Sequence, residues 1–340
     1  MAGWRPTEGR GPAPREDRSG AGTPVFVMPY YGDGPDAPDH LHQAVESLRA
    51  QTDPAWRLVL VDDASPRPGG RDAVGEVREA DPARITVLRQ PTNRGQGHGR
   101  NEGVRWAAGR GAPFVLFLDA DDIAHPRRLE RTRRTFADRP EVDFLYSSFT
   151  VVDERGDGVA PDRLTPSVRE ILDSHARAPE GPDAWIRIGV ETGYTSLTST
   201  VSVRTALASA HPFPEVRGSE DAHTWLRMAA GGTCVAYEPD IPARYRIPQS
   251  ADGSRDRGRI GVHAYYRRKA EVDTDGFRRA LAIALRRGTI TAHEAPELLA
   301  AFLRRLALTM EREGRPDLAA EILAAPEAAS ARTEGLRPAR

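Results

Sequence analysis

The sequence predicts an α/β protein with a mainly parallel sheet flanked by helices and a small C-terminal helical appendage. Short apolar runs alternate with segments of helical spacing, which is the pattern of βαβ units. Several of these runs end in polar or acidic residues, as expected where ligands sit beyond the carboxyl ends of parallel strands. At 340 residues the chain is long enough for one large domain with an appendage.

Regular structure begins at Thr23. PVFVMP reads as a buried strand ended by Pro29, LHQAVESLRAQ from Leu41 as a helix, and RLVLVDD as a second strand ended by carboxylates. A helical segment over 72–80, the strand-like RITVL, the helix candidate GRNEGVRWAAG and the strand FVLFLD follow. The stretch 153–193, rich in Pro, Asp and Arg, predicts a loop or insertion over the sheet edge. LTSTVSVRTALASA reads as a strand turning into a helix, GSEDAHTWLRMAAGG as a helix and TCVAYEP as a strand. The main domain is expected over 23–250 and a helical region over 251–328, with disordered tails at 1–22 and 329–340.

Formal net charge is −1, so the balance gives no reason to expect nucleic acid or anionic lipid as a partner. The single cysteine, Cys234, excludes an intrachain disulfide, argues against a thiolate metal cluster and suits a reducing compartment. No apolar run approaches the roughly 20 residues that span a bilayer. MAGWRPTEGRGPAPREDRSGAG lacks the hydrophobic centre of a signal peptide, so a cytoplasmic protein is expected. Lys269 is the only lysine among many arginines, which reads as codon usage.

Four motifs carry chemistry. FVLFLDADDIAHP drives a buried strand into Asp119, Asp121 and Asp122. Helix capping explains one of these acids; hard oxygen donors for Mg²⁺ or Mn²⁺, shared with a phosphate-bearing partner, explain more. VDDAS repeats the device at Asp62 and Asp63, where a carboxylate suits a nucleobase imide or a ribose hydroxyl, or else leads a turn. In NRGQGHGRNEG, from Asn93, the glycines permit close backbone approach and Arg100 points toward a phosphate or base. SEDAHTW offers Glu220 and Asp221, which diverge on a helix, so one acts alone as general base or both sit in the first turn after Ser219.

Taken in order, PVFVMPYY, LHQAVESLRAQ, WRLVLVDDAS, NRGQGHGRNEGV, FVLFLDADD and GSEDAHTWLRM resemble the family 2 glycosyltransferases, over Pro24 to Ile247. The resemblance implies the GT-A fold, a Rossmann-like mixed sheet. It also implies transfer of a sugar, with inversion, from a nucleotide-diphosphate sugar, a UDP-sugar foremost, to a small-molecule, glycan or peptide acceptor. Pro29, Tyr30, Asp62, Asp63, Asn93, Arg100, Asp119 and Ala120 would then hold the nucleotide sugar. Asp121, with Asp119, would hold Mn²⁺ or Mg²⁺, and Asp221, with Glu220 beside it, would supply the base. Many relatives carry a YRxH-like segment, whereas here Tyr245-Arg246-Ile247 precedes Pro248, so His263, or Arg246 with water, is expected to stand in. Without QxxRW or membrane helices, a single transfer is favoured over polymer synthesis.

Two rival readings follow from the same residues. FVLFLDADDI nearly satisfies the haloacid-dehalogenase phosphatase pattern, with Asp119 as nucleophile, but Ile123 stands at its Thr/Val position and the strand is fourth rather than first. A binding protein without turnover would be expected to show erosion of the acidic motifs, and both are intact. Phe277, Leu281 and Leu285 mark an apolar helix face that packs on the main domain or on a homodimer partner.

Overall fold

Residues 22–247 and 260–329 are described by the structure, a computed structural model. The two expected tails, apart from 22 and 329, and Pro248 lie outside the described residues. Seven strands are found there: β1 (Val25–Tyr30), β2 (Arg57–Asp62), β3 (Ile85–Arg89), β4 (Phe114–Phe117), β5 (Phe144–Val152), β6 (Val201–Arg204) and β7 (Val235–Arg246). They form one sheet in the order β3-β2-β1-β4-β6-β5-β7. β3, β2, β1 and β4 are parallel, β6 runs antiparallel to β4 and β5, and β5 pairs parallel with β7. The sheet is therefore mixed and mainly parallel.

Alternation along the strands sorts the core into two sides. Val25, Val27, Val59, Val61, Val115 and Phe117 face one side, whereas Phe26, Met28, Tyr30, Leu58, Leu60 and Leu116 face the other. Helices α1 (Ala37–Arg49), α2 (Pro68–Ala80), α3 (Gln96–Ala108) and α4 (Arg128–Asp138) follow successive strands. α1, α2 and α4 cover the second side; α3 covers the first.

The expected insertion holds α5 (Pro166–Ser174) and α6 (Ala184–Arg187). Then come α7 (Thr205–Ala210), α8 (Glu220–Gly231), α9 (Val262–Arg287), α10 (Glu294–Arg312) and α11 (Pro316–Ala324). The C-terminal helices share the core of the first side. Phe277, fully buried, stacks on Phe302 with ring centroids 4.3 Å apart and lies 5.8 Å from Trp185. Phe277 and Leu281 are thus covered by the chain itself, while Leu285 stays 38% exposed. No helix among the described residues is long and apolar enough to cross a membrane.

The helix after β3 begins at Gln96, three residues before the predicted start, and its glycines let it press on β1. A Cβ at Gly99 would lie 3.1 Å from Pro29 Cβ, and one at Gly103 would lie 2.4 Å from Val27 Cγ1. Ala ordinarily exceeds Gly by about 1 kcal/mol in a helix. At Gly103 overpacking against β1, a cost of about 1–3 kcal/mol, should outweigh that gain. Gly103→Ala is expected to lower the urea midpoint. Gly75→Ala in α2, where nothing lies within 4 Å, is expected to raise it. A midpoint unchanged or raised in Gly103→Ala would show that the contact is not limiting.

Candidate functional site

The carboxyl ends of β1, β2 and β4 and the starts of α3 and α8 meet at one edge of the sheet, and Arg100 lies at that junction. Its side chain is 1% exposed. Nη1 donates to Glu220 Oε1 at 2.8 Å, and Nη2 donates to Asp119 Oδ1 at 2.8 Å and to Gln96 Oε1 at 2.9 Å. Burial disfavours the guanidinium's charge, but Asp119 and Glu220 more than offset it and hold the pKa above its ordinary value. Arg100 thus binds the chain's own acids at the place where a phosphate or base contact is expected from sequence.

Glu220 and Asp221 separate as their helical spacing predicts. Glu220 is buried and tied to Arg100; burial pushes its carboxyl up, with Arg100 the largest opposing influence. Asp221 is half-buried, and Oδ1 accepts the Ala222 N–H at 2.7 Å. The two acidic motifs share one field. Burial pushes the Tyr245 hydroxyl well above its ordinary range, with further contributions from Asp122, Asp121, Asp119 and Asp221.

The three acids after β4 have different surroundings. Asp122 is 1% exposed. It accepts from the Ser199 hydroxyl and, at 2.8 Å, from the Arg246 N–H. Burial, then Asp121 and Asp119, push its carboxyl well above the usual range. Ser199 Oγ also accepts the Asp119 N–H at 3.0 Å, so one hydroxyl braces both ends of the turn. Asp119 and Asp121 remain half-buried, with Ala120 between them packed on the second core. Ile123 exchanges backbone hydrogen bonds with Arg244, which fastens the turn to β7.

Arg246 completes this brace. Nε donates to the Asp121 carbonyl at 2.7 Å, Nη1 to the carbonyls of Asp153 and Glu154, and Nη2 to Gln43 Oε1 at 2.8 Å. His263 Nδ1 lies 3.2 Å from Asp317 and its ring contacts Arg267, so it is engaged within the C-terminal helices. It therefore gains no support as a stand-in metal ligand, and Arg246 supports the turn through its backbone.

The remaining predicted residues divide. Pro29 faces α3, whereas Tyr30, one step along β1, points into the α1 and α2 side, where burial, Asp62 and Asp33 push its hydroxyl up to about 12. Asp62 and Asp63 are each 3% exposed. Asp62 accepts the Ser65 N–H at 3.0 Å, and Asp63 accepts the N–H groups of Arg94 and Gly95 at 2.8 and 2.7 Å. Both thus form turns, and Asp63 sets the entry to α3. Asn93 Oδ1 accepts from Arg217 at 2.7 Å, linking that entry to the loop before α8. Sequence reasoning missed Ser199 and Gln96. Only the polar run TST, a single helical turn just before β6, hinted at Ser199.

Among the described residues no group of three or more His, Cys, Asp or Glu forms a closed metal cage. The half-buried carboxylates of Asp119 and Asp121 suit a hard divalent cation that completes its shell with phosphate oxygens and water. The residues present therefore fit a shared, open metal site.

Removing the Arg100 cation leaves two acids facing each other across a dry junction, and breaking a buried pair costs about 3–5 kcal/mol. Arg100→Met should be destabilised to that extent, with Glu220 pushed further up. A folded pKa above the unfolded one gives stability that is present below the unfolded value and lost as pH rises through the folded value. The deficit, read from urea unfolding of both proteins, should therefore be larger at pH 8 than at pH 5. A deficit that grew toward pH 5 would contradict this account.

Residues 25–192 match the family model described as Glycosyl transferase family 2. Among curated relatives, "Uncharacterized glycosyltransferase MJ1057" of Methanocaldococcus jannaschii is 31% identical over 117 residues, which cover 34% of this chain and 39% of that protein. The UDP-Glc:alpha-D-GlcNAc-diphosphoundecaprenol beta-1,3-glucosyltransferase WfgD of Escherichia coli is 25% identical over 233 residues, 67% of this chain and 79% of its own. The first of these matches thus spans well under two thirds of the relative's length. The mannosyltransferase PcManGT from Pyrobaculum calidifontis, solved with GDP-Man and Mn²⁺, aligns with a TM-score of 0.55 at 20% identity over 92% of this chain and 77% of that chain. That likeness gives the GT-A fold. With the acidic turn after β4 and the Glu-Asp pair at the start of α8 on one sheet edge, the chain belongs to glycosyl transferase family 2.

Proposed function

We propose that the protein is a metal-dependent, inverting glycosyltransferase that moves one sugar from a nucleotide-diphosphate sugar to an acceptor hydroxyl. The observation that carries this reading is the bridge of Arg100 from Asp119 to Glu220, which brings the turn that holds Asp121 beside the start of α8 that holds Asp221, while Asp122 is tied off by Ser199 and Arg246. The donor's nucleotide lies along Pro29 and the Asp62–Asp63 turn. A UDP-sugar is the favoured donor, by family resemblance and by the donor in WfgD's name. Mn²⁺ or Mg²⁺ held by Asp121 and Asp119, when bound, offsets charge on the departing diphosphate.

The chain's residues carry the other parts of the reaction. Asp221 takes the acceptor hydroxyl's proton as its oxygen bonds to the anomeric carbon. The bond from that carbon to the phosphate oxygen breaks on the opposite face, and the nucleoside diphosphate leaves. Glu220 is engaged by Arg100, so Asp221 is the acid of the pair left for this task. General-base help of this kind is worth about 10²- to 10⁴-fold.

Donor binding is read by thermal shift over a sugar-nucleotide panel, with and without Mn²⁺, and turnover by release of nucleoside diphosphate. Asp121→Ala should abolish the Mn²⁺-dependent part of donor binding. Asp221→Asn should bind donor as the parent does and lose about 10²- to 10⁴-fold in transfer. Transfer by Asp221→Asn at the parent rate would exclude Asp221 as base, and donor binding by the parent without turnover would favour a binding protein.

A further inference from the structure

Of 48 Lys and Arg residues in the chain, one is lysine, and the fold places it next to the acidic site. Lys269, on α9, is 16% exposed in its side chain. Its Nζ donates to Ser219 Oγ at 3.1 Å and to Asp273 Oδ2 at 2.9 Å, and lies 4.5 Å from the centroid of the Tyr194 ring. Ser219 Oγ donates in turn to Asp273 Oδ1 at 2.6 Å, and Asp273 is fully buried. Ammonium, carboxylate and hydroxyl thus form a closed triangle. A compact ammonium with three donors fits such a corner; the planar fork of an arginine does not.

Ser219 is the residue this triangle grips, and its backbone is unusual. It is one of two non-glycine residues with positive φ among the described residues, at +61°, and it directly precedes Glu220 and Asp221. A serine at a helix N-cap ordinarily turns its hydroxyl onto the helix's own N–H groups. Here it makes no such bond and reaches across to α9 instead. A left-handed conformation at a residue with a Cβ costs about 1–3 kcal/mol and persists only where the surroundings hold it. α9 is seated tightly enough to do so: a Cβ at Gly276 would lie 2.8 Å from His223 Cα on α8.

We propose that the Lys269–Asp273 pair is the positioning device of this site. Acting through Ser219 Oγ, it holds the left-handed turn that aims Glu220 at Arg100 and Asp221 at the reacting centre. The second half of that statement rests on Asp221 as general base; the first half does not, and it can be tested without substrate. On this view the C-terminal helices are part of the site's framework.

The test is a double-mutant cycle in urea unfolding of the full chain, between Lys269 and Arg100, which are not bonded to each other. Arg100→Lys keeps the charge but loses the fork to Asp119 and Glu220. In the parent it weakens folding by the full worth of that fork. In Lys269→Met, where the turn is released and Glu220 is no longer aimed, its effect on the folding constant should be smaller by about fivefold or more. Independent effects, multiplying to within about twofold, would overturn the proposal. If Lys269→Met does not fold, Ser219→Ala, which removes only the hydroxyl, takes its place in the same cycle with the same expected outcome. A second readout separates positioning from a plain helix salt bridge. Ser219→Gly removes the conformational cost, so in that background Lys269→Met should leave the Arg100→Lys effect within about twofold of its parent value. Persistence of the full Lys269→Met effect there would also overturn it. Full transfer by Asp221→Asn would sink the base assignment alone and leave this coupling standing.

Discussion

A guanidinium buried between two carboxylates organises the acidic edge of this sheet. Arg100 alone would be costly to bury; Asp119 from the end of β4 and Glu220 from the start of α8 compensate its charge and fix its direction. Buried ion pairs are weak sources of net stability, so their effect here is better described as orientation. The pairing brings together elements 120 residues apart in sequence. It also bears on which acids remain for chemistry, by engaging Glu220 through Oε1 and Asp119 through Oδ1.

The position of Arg100 depends on α3, and α3 depends on features with no chemistry of their own. Asp63 accepts the two N–H groups just before the helix, and Gly103 lets it approach β1 where a Cβ would clash with Val27, with Gly99 close against Pro29. Close packing transmits such placements with little slack. The acidic turn is held in the same way from the other side, by Ser199 and by the backbone and side chain of Arg246. A residue that resembles a binding group in sequence, such as Asp62 or Asp63, can thus serve the site by shaping the loops around it.

Local pattern made much of the fold legible. The strands of the first half, their helices and the acidic ends follow from periodicity, and those strand ends do meet at one edge. Roles were less legible than positions. Arg100 and Asp63 each carry a type of side chain that suggests a ligand; in the fold Arg100 binds Asp119 and Glu220, and Asp63 binds backbone. These partners lie 19 to 120 residues away, distances closed by topology alone. The antiparallel insertion of β6 between β4 and β5, which delivers Ser199, has no signature in a single strand's pattern. Nor does codon usage account for where the one lysine falls, though it can account for its rarity.

The cations around the acidic turn bear on the chemistry proposed for it. Arg100 is neutralised by carboxylates, Arg246 donates to the carbonyls of Asp121, Asp153 and Glu154 and to Gln43, and Arg128 donates to the carbonyls of Phe117 and Val201. Burial pushes Arg128 down to about 9, against the pull of Asp122 and Asp119. Each of these three guanidinium groups thus donates to oxygens of the protein, Arg128 through Nη2 alone. A diphosphate arriving here would meet two carboxylates, Asp119 and Asp121, and like charges at close range repel. The divalent cation proposed above, held by Asp119 and Asp121, would offset that charge. The occupied arginines are compatible with that proposal, since none of the three is shown directed at a phosphate.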